Sequence, residues 1–589
     1  MKPATLALGL LLPAAVWPVP LLAQQSDPLA PIATTAVPQP GAPTIQPPMA
    51  QPARPVLPPI VVPKDWRGVF DAIDAGNWTS AFAGIYALPP SVLTPVAKAE
   101  YYTAKGSPPT DLPSLQALLA QAPELPQARQ LAAMALKRGA TIQPAVIAER
   151  GSTVLGFAPV RYRARPVQGE PAADALRAEL DALVKINDAA GAEAALLAAA
   201  PQLSVEARAE AGQRVAFCYY IVSRDADARR VADTWRQGAR GEWSSQAAWV
   251  SALASWRLND FNAASAAFQQ AAALAEQREL RAGALYWAAR SEQAIGRPNS
   301  VQGLLRAAAA SPESFYGLIA RETLGMETRV GSDPLVAYDP PVDHLPNVKR
   351  AIELARIGEP ALAEEMLRHQ AMIGNPAEHH ALIQLAKRLD LPAAQLWLAN
   401  HGQPGARSDP SDRYPNPKWA PLTGWRVDPA LAFGHIVQES AFRRTAVSAA
   451  DAVGLMQVRP GTAQDVARAR NLPYSRATLT DPRFNLEYGQ SFIENMRSSS
   501  GTAGQLPRVI ASYNAGPLPV SRWAAINDRG DPLLWIESIP YWETRYYVPA
   551  VMRNMWVYQG LNREETVSLK DIAQHRWPAF PARMTRLEN

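Results

Sequence analysis

The 589-residue sequence predicts an all-α protein in which a long helical superhelix precedes a second, mostly helical domain. Ala- and Leu-rich amphipathic patterns fill the chain from Trp66 to about residue 405. Similar turns recur within them. Arg224-Asp225-Ala226-Asp227-Ala228-Arg229, Asn259-Asp260-Phe261-Asn262-Ala263-Ala264 and Ile295-Gly296-Arg297-Pro298 stand at steps of 35 and 36 residues. A period of that length suits stacked helical hairpins, each burying one face on its neighbour. Finally, Pro410, Pro415, Pro417 and Pro421 break the pattern before Asp428 and Pro429, a favourable N-cap and first helical residue, open a new helix.

In chain order, the N-terminus carries Lys2 and an apolar run from Leu6 to Leu22 interrupted by Pro13, Pro18 and Pro20. This reads as a secretory signal peptide over 1–23, with Ala23 as the cleavage point and no Cys nearby for a lipid anchor. Residues 24–63 hold twelve prolines and almost no charge, so they cannot build a core and form a Pro-rich linker. The superhelix is expected over 64–310 and a helical linker domain over 311–410, with Gly76-Asn77-Trp78 and Ile357-Gly358-Glu359-Pro360 as degenerate copies of the repeat turn. Trp249, Trp256, Tyr286 and Trp287 belong to the inter-helix core rather than to sugar platforms, and the single Cys218 is a core residue. The second domain spans 411–562, and 563–589 form a C-terminal tail.

Glu439 closes the helix that Asp428 opens. Ala432, His435 and Ile436 lie seven, four and three residues before it, so the carboxyl emerges beside a largely apolar strip. Burial and the negative end of the helix dipole both favour the protonated acid, the form a general acid needs near neutral pH. Alone, a Glu-Ser pair is better explained by a surface residue ending an amphipathic helix. Ser448 and Gly454-Leu455-Met456-Gln457, then Ala511-Ser512-Tyr513-Asn514-Ala515-Gly516, then Ile539-Pro540-Tyr541-Trp542-Glu543-Thr544-Arg545 follow in order.

This succession resembles the soluble lytic murein transglycosylases, firmly over about 425–560 and in helical style upstream, where Phe315-Tyr316-Gly317 is similar to a segment near the end of the family's superhelix. The resemblance implies a lysozyme-like, mostly helical catalytic domain. It implies that Glu439 protonates the glycosidic oxygen between MurNAc and GlcNAc of peptidoglycan and then accepts a proton. Ser448 and Gln457 would contact the N-acetylated sugar or its peptide arm, and Met456 would line the cleft. Tyr513 and Asn514 would face Glu439, and Glu543 would lie further along. One carboxyl suffices if the substrate's acetamido group assists and the C6 hydroxyl of the same sugar attacks C1, giving a 1,6-anhydro product without water. Asp451, Asp465 and Glu487 are nearby carboxylates that match no second catalytic position. Asp451 and Arg459 depart from the family pattern; an exposed turn is expected at Asp451, and Arg459 either pairs with substrate carboxylates or sits at the surface.

A net charge of +5 suits a polyanionic partner, and a secreted chain without a nucleic-acid motif makes the cell wall that partner. The expected setting is the periplasm, with no membrane-spanning segment once the signal is removed, and the superhelix offers surface for protein partners. No cofactor is implied. His379, His380 and His435 have no companions at metal-ligand spacing, so no metal is expected. Two other readings remain open: a hydrolase like goose-type lysozyme, and a non-catalytic scaffold that binds glycan or a partner.

Overall fold

The computed structural model describes residues 61–331 and 339–581. The expected signal peptide, nearly all of the expected linker and positions 582–589 of the tail lie outside the described residues. Helices dominate the rest, as the patterning predicts, and the only regular strands among the described residues are the antiparallel pair Thr153–Val154 and His401–Gly402.

The repeat turns have one backbone device. Ser223, Asn259 and Gly296 each adopt a left-handed conformation, at φ 60°, 62° and 79°, so one helix stops and the next starts antiparallel to it. Asn187 does the same at φ 60°, a copy without a visible sequence signature. Gly76 and Gly358, in the degenerate copies, stand at φ 67° and 85°. The residue after the left-handed one often caps the next helix: Asn77 accepts from the Ser80 amide, Asp188 from Gly191 and Asp260 from Ala263. From Pro171 to Ala309 each helix packs against its successor, a solenoid whose core holds Trp249, Phe268, Tyr286, Trp287 and the free Cys218.

A separate core forms where the helices between Trp66 and Lys137 meet those between Pro346 and Asn400. Fully buried Asn347 donates to the Glu124 carbonyl at 2.7 Å, Arg350 pairs with Glu124 at 2.6 Å, and Arg67 donates to the Ile357 carbonyl at 2.9 Å. An extended strap between the helices Ala128–Lys137 and Pro171–Lys185 then leads into the solenoid.

The solenoid ends on the helix Phe315–Thr323, which joins it to the last domain. Tyr316 Oη donates to Glu537 Oε1 at 2.8 Å, and Arg161 of the strap pairs with Glu537 Oε2 at 2.6 Å, both ends buried. Phe315 stacks on Trp556 with ring centroids 5.1 Å apart. Glu537 lies two residues before the segment Ile539–Arg545, so the solenoid holds that segment at its root. In the last domain the helix Pro429–Glu439 packs chiefly along Trp542–Leu561, with Pro482–Arg497 and Leu506–Ala515 beside them. Gly434 permits the close approach: a Cβ there would stand 3.0 Å from the Val551 carbonyl oxygen.

Candidate active site

The helix carrying Glu439 starts as its sequence requires. Asp428 accepts from the Ala430 amide at 2.8 Å through one oxygen and from Gln559 at 2.8 Å through the other. Ala432, His435 and Ile436 are buried, and Glu439 is the last helical residue. Two non-glycine residues in the left-handed region follow, Ala441 at φ 49° and Phe442 at φ 64°. Phe442 is nonetheless 1 % exposed, anchored among Phe433 and Trp419, so packing holds this strained reversal directly behind Glu439.

Glu439 is part-buried and takes a hydrogen bond at Oε1 from Tyr547 Oη, 2.5 Å away. Burial pushes its pKa up to about 8; the negative charge of Glu543 acts in the same direction, and the Tyr547 bond opposes both. Burial wins, and the acid holds its proton at neutral pH.

The other expected residues are distributed unevenly. Tyr513 is buried near the end of Leu506–Ala515, its ring 4.4 Å from that of His435, and its hydroxyl donates to the Met456 carbonyl at 2.7 Å. The charge of Glu439 reaches Tyr513 and raises its pKa further beyond the effect of burial. Asn514 is half-buried; it donates to Glu543 at 3.4 Å and accepts from Thr544 at 2.6 Å, so the Ser512–Gly516 and Ile539–Arg545 segments are stitched together beside Glu439. Burial raises the Glu543 pKa, with the Asn514 bond opposing. Met456 is a correction to the expectation that it lines a cleft. It is fully buried, with its sulfur so close to Gly489 that a Cβ there would collide with it at 2.2 Å. Its backbone, not its side chain, reaches the site. Ser448 Oγ accepts from the Ala452 amide at 3.0 Å, and Gln457, at φ 47°, donates to the carbonyls of Gly454 at 2.9 Å and Ala446 at 3.1 Å. Both side chains brace the loop, and these bonds leave the Ser448 hydroxyl hydrogen and Gln457 Oε1 unused.

Two residues escaped the sequence reading. Tyr547, the direct partner of Glu439, stands four residues after Glu543 on one helix and therefore shares its face; that spacing was the available signal. Asn485 is fully buried and knits the loop: it accepts from the Met456 amide at 2.8 Å and donates to Val453 and Leu479 carbonyls at 3.0 and 2.8 Å. Nothing local marks it.

The other nearby carboxylates are committed elsewhere. Glu487 is buried against Arg426 at 2.8 Å and Thr423; burial raises its pKa but those bonds win and hold it low. Asp465 faces solvent with Arg468. Asp451 sits on an exposed left-handed turn, φ 60°, paired with Arg476, and Arg459 is exposed at the start of the helix Pro460–Arg470. His379 bonds the Leu398 carbonyl at 2.8 Å, and His380 bridges Asp339 and Asp412 at 2.7 and 3.3 Å. His435 contacts Tyr547 at 2.7 Å.

Residues 420–536, within the helical domain that carries Glu439, match the family model of the transglycosylase SLT domain. The chain is similar to the soluble lytic murein transglycosylase of Escherichia coli K12, 28 % identical over 267 residues that cover 40 % of this chain and 38 % of that protein. The Salmonella typhimurium protein of the same name is 29 % identical over 310 residues, 49 % of this chain and 46 % of its own. The chain thus spans less than half the length of these relatives. Among solved structures, an inactive mutant of lytic transglycosylase Slt from Pseudomonas aeruginosa superposes with a TM-score of 0.52 at 20 % identity, covering 85 % of this chain and 86 % of that one, a likeness of fold.

Proposed function

We propose that this protein is a lytic transglycosylase that cleaves the β-1,4 bond between MurNAc and GlcNAc in peptidoglycan, with Glu439 acting alone as acid and then base. The observation that carries the reading is Glu439 itself: a carboxyl with its pKa raised to about 8, at a helix end inside an SLT domain. Its proton goes to the glycosidic oxygen as the C1–O4 bond breaks. The substrate's acetamido oxygen shelters the developing positive charge at C1. The Glu439 carboxylate then takes the proton of the C6 hydroxyl while O6 bonds to C1, closing the 1,6-anhydro ring. No water is consumed, and proximity within one sugar supplies most of the advantage. In this reading Ser448, Gln457, Tyr513, Asn514 and Glu543 hold the substrate, whereas Met456 supports the loop from beneath.

The expected signal peptide and the basic balance favour the periplasm and the anionic cell wall, and the superhelix provides surface for protein partners. No helix among the described residues is long and apolar enough to cross a membrane. A second reading has one observation behind it: Glu543 is a carboxylate whose charge is felt at Glu439, and it could activate water in a lysozyme-type hydrolysis. Mass spectrometry of products released from sacculi decides between them. Muropeptides ending in 1,6-anhydro-MurNAc, lost with Glu439→Gln, are the expected result. Reducing ends one water heavier would establish a hydrolase, and no release by the wild type would leave a glycan-binding scaffold.

A further inference from the structure

Behind Glu439 three groups stand in line. Tyr547 Oη lies 2.5 Å from Glu439 Oε1 and 2.7 Å from His435 Nδ1. A phenol has one hydrogen, and it points to the carboxyl. The second short bond therefore needs its hydrogen from His435, donated by Nδ1 to the Tyr547 oxygen. A neutral imidazole carries a single N–H, so Nε2 is then bare. The surroundings agree: His435 is 1 % exposed and its Nε2 is buried without a hydrogen-bond partner. The other tautomer would bury an unpaired N–H and place two lone pairs against each other at 2.7 Å.

The titratable groups around this line are Glu439 on the same helix, Tyr547 and Glu543 on Trp542–Leu561, and Tyr513 on Leu506–Ala515. Among the described residues, the charges that act most on Tyr547 and Glu439 are those of carboxyl and phenol groups, and burial is what shifts His435. We propose that His435 is a positioning residue for Glu439: its Nδ1–H fixes the Tyr547 hydroxyl so that Tyr547 always donates to Oε1, leaving Oε2 to carry the acid's proton toward substrate. The inference rests on the proposed role of Glu439 as the acid. A histidine suits the task because burial drives its own pKa down to about 3, so it orients the tyrosine without becoming a cation. A positive charge in that place would drive Glu439 toward the carboxylate and remove the proton it must deliver.

Two measurements on the full chain test this. The first is 15N NMR of histidine-labelled protein at neutral pH. The expected result is a protonated Nδ1 and an unprotonated Nε2 for the resonance lost in a His435 variant; a protonated Nε2 would overturn the proposal whether or not the protein is an enzyme. The second compares His435→Asn, which offers an amide N–H near the Nδ1 position, with His435→Leu, which fills the space without a donor. In release of anhydro-muropeptides, His435→Leu should lose roughly tenfold or more in kcat, the worth of one hydrogen bond, with little change in KM. Its alkaline limb should move to higher pH, because the bond that restrains the Glu439 pKa has weakened. His435→Asn should keep both the rate and the profile near those of the wild type. Equal losses in the two variants, or an unchanged His435→Leu, would reduce His435 to packing. Failure of the wild type to release anhydro-muropeptides would sink the proposed function and leave the tautomer measurement standing on its own.

Discussion

A carboxyl group that gains a hydrogen-bond donor normally ionises more readily, yet Glu439 does not, because burial outweighs the Tyr547 bond and Glu543 adds to burial. The free-enzyme kcat/KM should therefore be level through neutral pH and fall above about 8, where the proton is lost. Removing the opposing bond with Tyr547→Phe should raise the Glu439 pKa further, moving that limb upward while slowing turnover about 10- to 100-fold. A limb that moved downward would contradict this account. Stability carries the same signature with a definite sign. The folded carboxyl keeps a proton that the unfolded chain gives up, so this group's contribution to stability declines as pH rises from about 4.5 to about 8. Glu439→Gln lacks that titration. Calorimetry should find it no more stable than the wild type near pH 4 and more stable above pH 8, alongside a loss of activity of at least about 100-fold.

At the scale of elements, the loop from Ala446 to Val458 is a small cage closed from outside by one side chain. Asn485 satisfies two carbonyls and an amide of the loop and its neighbour, and Gly454, at φ 82°, leaves room for it: a Cβ there would meet the Leu479 oxygen at 2.2 Å. Asn485→Leu should strand those buried backbone groups at a cost of about 1–3 kcal/mol each. The expected outcome is lost substrate affinity and a lower Tm with helical circular dichroism intact. The sequence made the helices legible, since caps and apolar periodicity are local: Asp428-Pro429 opened its helix where expected, and Gly516-Pro517 closed Leu506–Ala515. The position of Glu439 at the end of that helix, beside a buried apolar strip, was legible for the same reason. Asn485 was not, because it acts through space on a residue 29 positions away and no pattern along the chain encodes that meeting; Tyr547 left only its four-residue spacing from Glu543 as a trace. Met456 failed for the converse reason: its motif marks the loop, while burial against Gly489 decides where the side chain points.

Across the whole molecule, Glu537 is the joint. Its two oxygens receive Tyr316 from the solenoid and Arg161 from the strap, all buried, just ahead of the segment that bears Glu543. Glu537→Leu would leave the Arg161 guanidinium without its carboxylate, a defect worth about 3–5 kcal/mol. Differential scanning calorimetry should then show the solenoid and the last domain melting in separate steps, with activity lost below the first. A single unshifted transition would mean that stacking of Phe315 on Trp556 suffices to couple them.

The shared core of residues 66–137 and 342–398 also bears on the order of events during synthesis. The five helices between Trp66 and Lys137 pack on one another, and the core they share is completed by segments that emerge more than 200 residues later. Until then the core they share lacks its second half. The solenoid between them, built from contacts between sequence neighbours, can form in the meantime. The helices between Trp66 and Lys137, though made before the solenoid, should be among the last to become protease-resistant, and pulse-proteolysis of the refolding protein should find slowly protected peptides there.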